Sequence, residues 1–171
     1  MTAKNHVVLA LVPPAVFCGA SAVECVPFFL GAGIGALVPD IDEPGSYIGR
    51  RLYFVSEVLR GLGLEHRTLT HSLLLPIMIA AMVYIGFGLD RSAEWLYGLA
   101  FGIFMHDVGD MLTKGGIKGA LKPLYGGTVR LLPKSLAFYT GSFGEYATVV
   151  ALTGAAALFL YLHPGGLISI F

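Results

Sequence analysis

Residues 72–89 read SLLLPIMIAAMVYIGFGL, 18 consecutive positions without Asp, Glu, Lys or Arg. That approaches the ~20 apolar residues a helix needs to cross a bilayer. A second charge-free run covers 146–171, 26 residues, and 146–162 alone suffices for one crossing. Between them, 93–112 is apolar but carries His106, Asp107 and Asp110 towards its end. Gly98 and Gly102 form a small-xxx-small pair there, which lets helices approach closely. The composition agrees: of 171 residues 56% are hydrophobic and 13% charged, against about 25% charged in a soluble domain. Mean hydropathy is +0.75. The expected fold is all-α, a multipass helical membrane protein of one integral domain with four to five transmembrane or half-membrane helices. Eleven basic residues balance eleven acidic ones, so no global basic field exists for nucleic acid. Two cysteines cannot build a disulfide framework.

The N-terminal apolar stretch, 7–38, is harder to divide. Its 32 residues would make a helix of about 48 Å, too long for one crossing. Pro13, Pro14, Pro27 and Glu24 interrupt it, so a broken helical hairpin turning near 21–27 is expected, with Gly31 and Gly35 as a close-packing face. The rival is a cleaved leader, with Lys4 as basic start, 7–18 as apolar core and Ala20-Ser21-Ala22 as cleavage site. Cys18 and Cys25 read as packing residues. A polar loop over 40–70, a helical hairpin over 72–112, a basic loop over 113–142 and a last helix over 145–162 complete the expected layout.

Nine of the eleven basic residues lie in two of these loops: Arg50, Arg51, Arg60 and Arg67 in the first, Lys114, Lys118, Lys122, Arg130 and Lys134 in the second. The hairpin 72–112 returns the chain to its starting side, so both loops share one face. The positive-inside rule makes that face cytoplasmic, in a bacterial or archaeal inner membrane. Trp95 and Tyr97, near the opposite turn, suit an interfacial belt.

Ionisable residues gather at this same boundary from separate parts of the chain. Asp40 and Asp42 follow the N-terminal hairpin, His66 and His71 precede residue 72, His106 and Asp110 sit one turn apart on one helical face, and Glu145 opens the last helix. His6 is an optional member. Imidazoles and carboxylates together suit a divalent metal, zinc first, with manganese or ferrous iron as alternatives, as one or two ions. Without a cation the carboxylates would repel one another beside a low-dielectric boundary. Each residue has a plainer reading alone: Asp42 as a turn residue, His71 near a helix cap, Asp107 and Asp110 as helix-end charges paired with Lys114. Their convergence on one face favours the metal.

Four motifs in order carry a resemblance. Gly35-Ala36-Leu37-Val38-Pro39-Asp40-Ile41-Asp42, residues 46–50, His66-Arg67-Thr68-Leu69-Thr70-His71-Ser72, and His106-Asp107-Val108-Gly109-Asp110-Met111-Leu112-Thr113 resemble the YdjM-type family, as does Tyr139-Thr140-Gly141-Ser142 with Glu145. That family is described in terms of LexA binding, inner-membrane association and metal-dependent hydrolysis. The chain departs from the family pattern at Met105, where serine is usual, and at Asp107, usually apolar. The resemblance implies a distant likeness to zinc-dependent phospholipase C, at the level of fold analogy alone.

The residues point to a hydrolase in which a divalent ion activates water against a phosphoester, possible lipid substrates included since the site opens at headgroup depth. The expected ligands are Asp40, Asp42, His66, His71, His106 and Asp110, with His6. Glu145 or Asp107 would act as base or as an orienting group, and Arg67 would stabilise charge on the phosphoryl oxygens. Arg50, Arg67 and Lys114 would bind substrate. Two other classes stay open: a transporter or ion pathway, which predicts ionisable groups at the bilayer midplane, and a regulatory membrane protein recruiting a soluble partner through its basic loops.

Overall fold

The computed structural model describes residues 1–19, 24–62, 70–121 and 126–166. Helix α1 runs Ala3–Cys18 and continues through Pro13 and Pro14. The interruption expected at those prolines falls instead after Cys18. Two missing N–H groups weaken the ladder, but α1 packs against three other helices, α2 (Val26–Gly35), α5 (Glu94–Met111) and α6 (Phe143–Leu162). Pro27 sits in the first turn of α2, where no N–H is needed. The N-terminal hairpin is thus present, with part of its turn outside the described residues.

The polar stretch 40–70 is more ordered than a loop. It holds a 3-10 turn, Pro39–Asp42, and helix α3, Tyr53–Gly61. The buried Ser56 hydroxyl donates to the Ile41 carbonyl at 2.6 Å, tying α3 to that turn. Ser46 Oγ donates to the Asp40 carbonyl at 2.7 Å and accepts from the Gly49 amide at 2.8 Å. These bonds explain why Ser46 and Gly49 accompany the Asp40-Ile41-Asp42 motif.

Helices α4 (Leu74–Phe87) and α5 form the expected hairpin. The basic stretch 113–142 departs from an all-helical plan. It contains a two-stranded antiparallel ladder, β1 (Ile117–Lys118) with β2 (Thr128–Val129), pairing Ile117 with Val129. Ile117, Ala120 and Met111 make a small buried cluster beneath it, and the Leu73 amide donates to the Ala120 carbonyl at 2.9 Å.

Among the described residues only α6 is a helix both long and apolar enough to cross a membrane. Helices α1 and α4 are apolar but have 16 and 14 residues, about 24 and 21 Å at 1.5 Å per residue. The charge-free run at 72–89 is longer than its helix because Gly88, at φ +60°, ends α4. Helix α5 carries Glu94, Asp107 and Asp110. The fold is mostly helical, and of the four to five transmembrane or half-membrane helices expected, one among the described residues, α6, has the length and apolarity of a full span.

Helix α5 is the centre, packed by α1, α2 and α4, and among the described helices its contact with α2 is the most extensive. A Cβ added at Gly31 or Gly35 on α2 would overlap the Trp95 or Leu99 carbonyl oxygen; one at Gly98 or Gly102 on α5 would overlap that of Phe28 or Ala32. The two glycine pairs therefore face one another and bring backbone against backbone. Gly102→Leu should lower stability by about 3 kcal/mol or more, since neither backbone can yield. Gly86→Leu, at a position with nothing within 4 Å of an added Cβ, should leave it nearly unchanged. Thermal unfolding of both variants in detergent measures the difference.

Candidate metal centre

The α2–α5 contact sets the site. Because the helices touch, His106 Nδ1 lies 2.7 Å from the Ala36 carbonyl just past α2. The chain then turns through Pro39–Asp42, bringing Asp40 Oδ1 to 3.6 Å from His106 Nε2 and 3.8 Å from His71 Nε2. His71, leading into α4, places its Nε2 3.2 Å from His106 Nε2 and 3.8 Å from Asp110 Oδ2. Helix α1 contributes His6, whose ring stacks on His106 at 3.7 Å and whose Nε2 lies 3.3 Å from Asp110 Oδ1. Gly109 admits it, since a Cβ there would sit 3.0 Å from His6 Nδ1. The Met1 amino group also meets Asp110 Oδ1.

Hydrogen bonding fixes what the two central imidazoles present. A carbonyl only accepts, so His106 Nδ1 carries the proton given to Ala36 and Nε2 keeps its lone pair. The Thr70 hydroxyl donates its one hydrogen to Asp42 Oδ2. Toward His71 Nδ1, 3.1 Å away, it can then only accept, so His71 Nε2 also keeps its lone pair. Two acceptor nitrogens thus face each other at 3.2 Å, with carboxylates of Asp40 and Asp110 beside them. A divalent cation placed among them would take both lone pairs and offset the carboxylates. Metal–ligand distances near 2.0–2.1 Å imply edges of about 3.4 Å in a tetrahedron, and the separations of 3.2 to 3.8 Å fit that spacing. Two overlapping groups have ligand atoms mutually within 4.8 Å: Asp40, His71 and His106; and His6, His106 and Asp110.

The sequence reading thus brings together Asp40, His71, His106, Asp110 and His6. The other expected members among the described residues fall outside both ligand groups. Asp42 is buried but outside both ligand groups, reaching His71 through Thr70. Glu145 is saturated: Oε1 accepts from the Thr2 amide at 2.8 Å, the Thr2 hydroxyl at 2.9 Å and Asn5, and Oε2 from the Gly141 amide at 2.8 Å. That carboxylate orients the first turn of α1, which carries His6, and has little capacity left to act as a base. Asp107 is fully buried, and neither of its oxygens has a hydrogen-bond partner among the described residues. It joins neither ligand group. Lys114 holds its ammonium 4.3 Å from the Tyr139 ring centre, whereas Arg50 lines a cleft that also exposes Asp40. His66 and Arg67 lie outside the described residues. The sequence reading missed Thr70 as the link to His71, although it precedes that histidine directly.

The far end of the bundle has its own chemistry. Cys18 and Cys25 form a disulfide, correcting their reading as packing residues: the turn between α1 and α2 brings their Cα atoms to 6.6 Å, within bonding range. Arg91 bonds Glu24 and Glu94 at 3.2 Å each, and these carboxylates, Glu24 first, raise its pKa above the ordinary value.

A mostly helical protein with a long apolar helix and a buried His/Asp cluster at one end is, as a class, a membrane protein with a candidate metal centre. Comparison with known proteins agrees with the membrane part: the chain belongs to the YdjM inner membrane protein family, whose model matches residues 1–166. It is 32% identical over 167 residues to the uncharacterized protein YvsG of Bacillus subtilis, covering 95% of this chain and 96% of that protein. It is 34% identical over 129 residues to inner membrane protein YdjM of Escherichia coli, and equally to that of Shigella flexneri. These alignments cover 68% of this chain and 63% of either relative, under two thirds of their length. No solved structure matches.

Elemental analysis of the detergent-purified protein should find bound divalent metal, lost in His106→Ala. Thr70→Val keeps every ligand but frees the His71 tautomer, and should weaken metal affinity about 10- to 100-fold. Unchanged affinity in Thr70→Val would contradict the tautomer assignment.

Proposed function

We propose that this chain is a metal-dependent hydrolase of phosphoesters, working at the cytoplasmic boundary of the inner membrane. The observation that carries the reading is the pair of acceptor nitrogens, His71 Nε2 and His106 Nε2, 3.2 Å apart between two carboxylates. Asp40, His71, His106 and Asp110 would hold the ion, with His6 beside it against Asp110 and zinc the best match to the donor set. A divalent ion bound there supplies Lewis acidity toward a phosphoryl oxygen and brings the pKa of a water to about 7.

The protein's own groups do the positioning. Ala36 and the Thr70–Asp42 pair hold the two imidazoles in the ligating tautomer, as outer partners commonly do at metal sites. Glu145 holds the turn that delivers His6. Asp40 is the ligand with an opening to the cleft, 18% of its side chain being exposed against 0–2% for His71, His106 and Asp110, so substrate approaches from its side. Arg50 lines that cleft and can take phosphoryl oxygens bidentately. Arg67 remains a candidate for the same task, four residues before His71.

The orientation draws on two independent supports. Nine of eleven basic residues lie in the two loops on the site side, as positive-inside topology requires. The Cys18–Cys25 disulfide lies at the opposite end of α1 from His6, and disulfides persist in oxidising compartments.

The test is hydrolysis of bis(p-nitrophenyl) phosphate by purified protein before and after chelation. Chelation and His106→Ala should each remove at least ~1000-fold of the activity, the several kcal/mol of transition-state stabilisation a metal contributes. Activity that survives both overturns the reading.

A further inference from the structure

The cleft at Asp40 has a volume of about 380 Å³, with Lys4, Arg50 and Tyr47 among its walls. A second cavity of about 320 Å³ adjoins it, sharing Ala3, Lys4 and Tyr47 and lined further by Val7 and Leu37. A cationic compartment therefore continues into an apolar one. Among the described residues neither Lys4 nor Arg50 has a carboxylate partner within salt-bridge distance. Arg51 lies 3.8 Å from the Tyr47 ring centre and braces the wall common to both compartments.

We infer that the site binds a membrane lipid phosphate, with the phosphate between Lys4 and Arg50 beside Asp40 and an acyl chain in the Val7–Leu37 cavity. Two cationic side chains lining the cleft that exposes Asp40 suit a phosphoryl group, which can pair with both. The apolar cavity would give a soluble phosphoester nothing, while each buried methylene of an acyl chain adds to affinity.

Helix α3 sets the depth. It begins three residues after Arg50, and Phe54 and Leu62, on and just beyond it, are 79% and 72% exposed, with Val58 exposed between them at helical spacing. Glu57 and Arg60, paired at 3.1 Å, occupy another side. An amphipathic helix of this kind lies along the headgroup plane, which is where a lipid phosphate is found. The inference rests on the hydrolase reading for the fate of the bound lipid, and not for its binding.

The experiment measures equilibrium binding to the full-length protein in non-ionic detergent, using dioctanoyl phosphatidic acid, glycerol phosphate and dioctanoylglycerol as probes. Wild type should bind the lipid phosphate at least ~10-fold more tightly than either of the others, about 1.4 kcal/mol. Arg50→Ala and Lys4→Ala should weaken both phosphate probes. Val7→Trp, and Leu37→Trp from the other wall, should weaken the acyl-bearing probes, the lipid phosphate about 10-fold, and leave glycerol phosphate unchanged, which confirms an intact fold. Equal affinity for lipid phosphate and glycerol phosphate, or a lipid affinity untouched by both Trp variants, overturns the inference. Dioctanoylglycerol binding as tightly as the lipid phosphate overturns its headgroup half. The same titrations beside the hydrolysis assay separate the two claims: a preserved lipid preference, in wild type and in His106→Ala, together with turnover that survives both chelation and His106→Ala leaves the lipid site standing while the hydrolase reading falls.

Discussion

The backbone contact between α2 and α5 is the constraint on which the rest depends. Four glycines, two per helix, allow carbonyl oxygens of each helix to occupy space a side chain would take on the other. Van der Waals contact at that distance holds helices together where no hydrophobic drive exists between apolar surfaces in lipid. It also has a chemical result. Ala36 at the end of α2 comes within hydrogen-bonding distance of His106, and the turn that follows delivers Asp40 to the same imidazole. Packing and ligand geometry are therefore one feature of the fold.

Around that contact the polar groups are graded by how they are satisfied. Glu145 takes up Thr2, Asn5 and Gly141 and fixes the start of α1. Asp42 takes up Thr70, and Ser46 and Ser56 take up carbonyls of the Asp40 turn. These groups make the scaffold rigid. At the centre the pattern changes, because the imidazoles of His71 and His106 present lone pairs to one another and to carboxylates. Burying such groups is costly unless a cation neutralises them. The Met1 amino group meets Asp110 at the edge of this centre, and an ion between the two imidazole lone pairs would complete it. Asp107 stands apart: fully buried, with no hydrogen-bond partner among the described residues, and the structure offers no account of its role.

Much of this was legible in the sequence, because its signals are local or periodic. The i, i+4 spacing of His106 and Asp110 survives in any α-helix. The small-xxx-small pairs at Gly31/Gly35 and Gly98/Gly102 announced close-packing faces, although not that they face one another. The Thr70 hydroxyl between Asp42 and His71 was not legible, since it depends on which way a turn projects one oxygen. Glu145 looked like a chemical group because a carboxylate at a helix start has no local sign of being saturated by residues some 140 positions away. The disulfide escaped for a similar reason, as only the reversal between α1 and α2 makes Cys18 and Cys25 neighbours. The small β-ladder at 117–129 has too few residues to show a period.

The most direct measurement of the central claim is X-ray absorption at the zinc edge on wild-type protein purified with its metal. Convergence of Asp40, His71, His106 and Asp110 predicts a shell of nitrogen and oxygen at about 2.0–2.1 Å, no sulfur, and the multiple-scattering signature of at least two imidazoles. A spectrum of hydrated ion without imidazole scattering, or a sample free of metal, would contradict it.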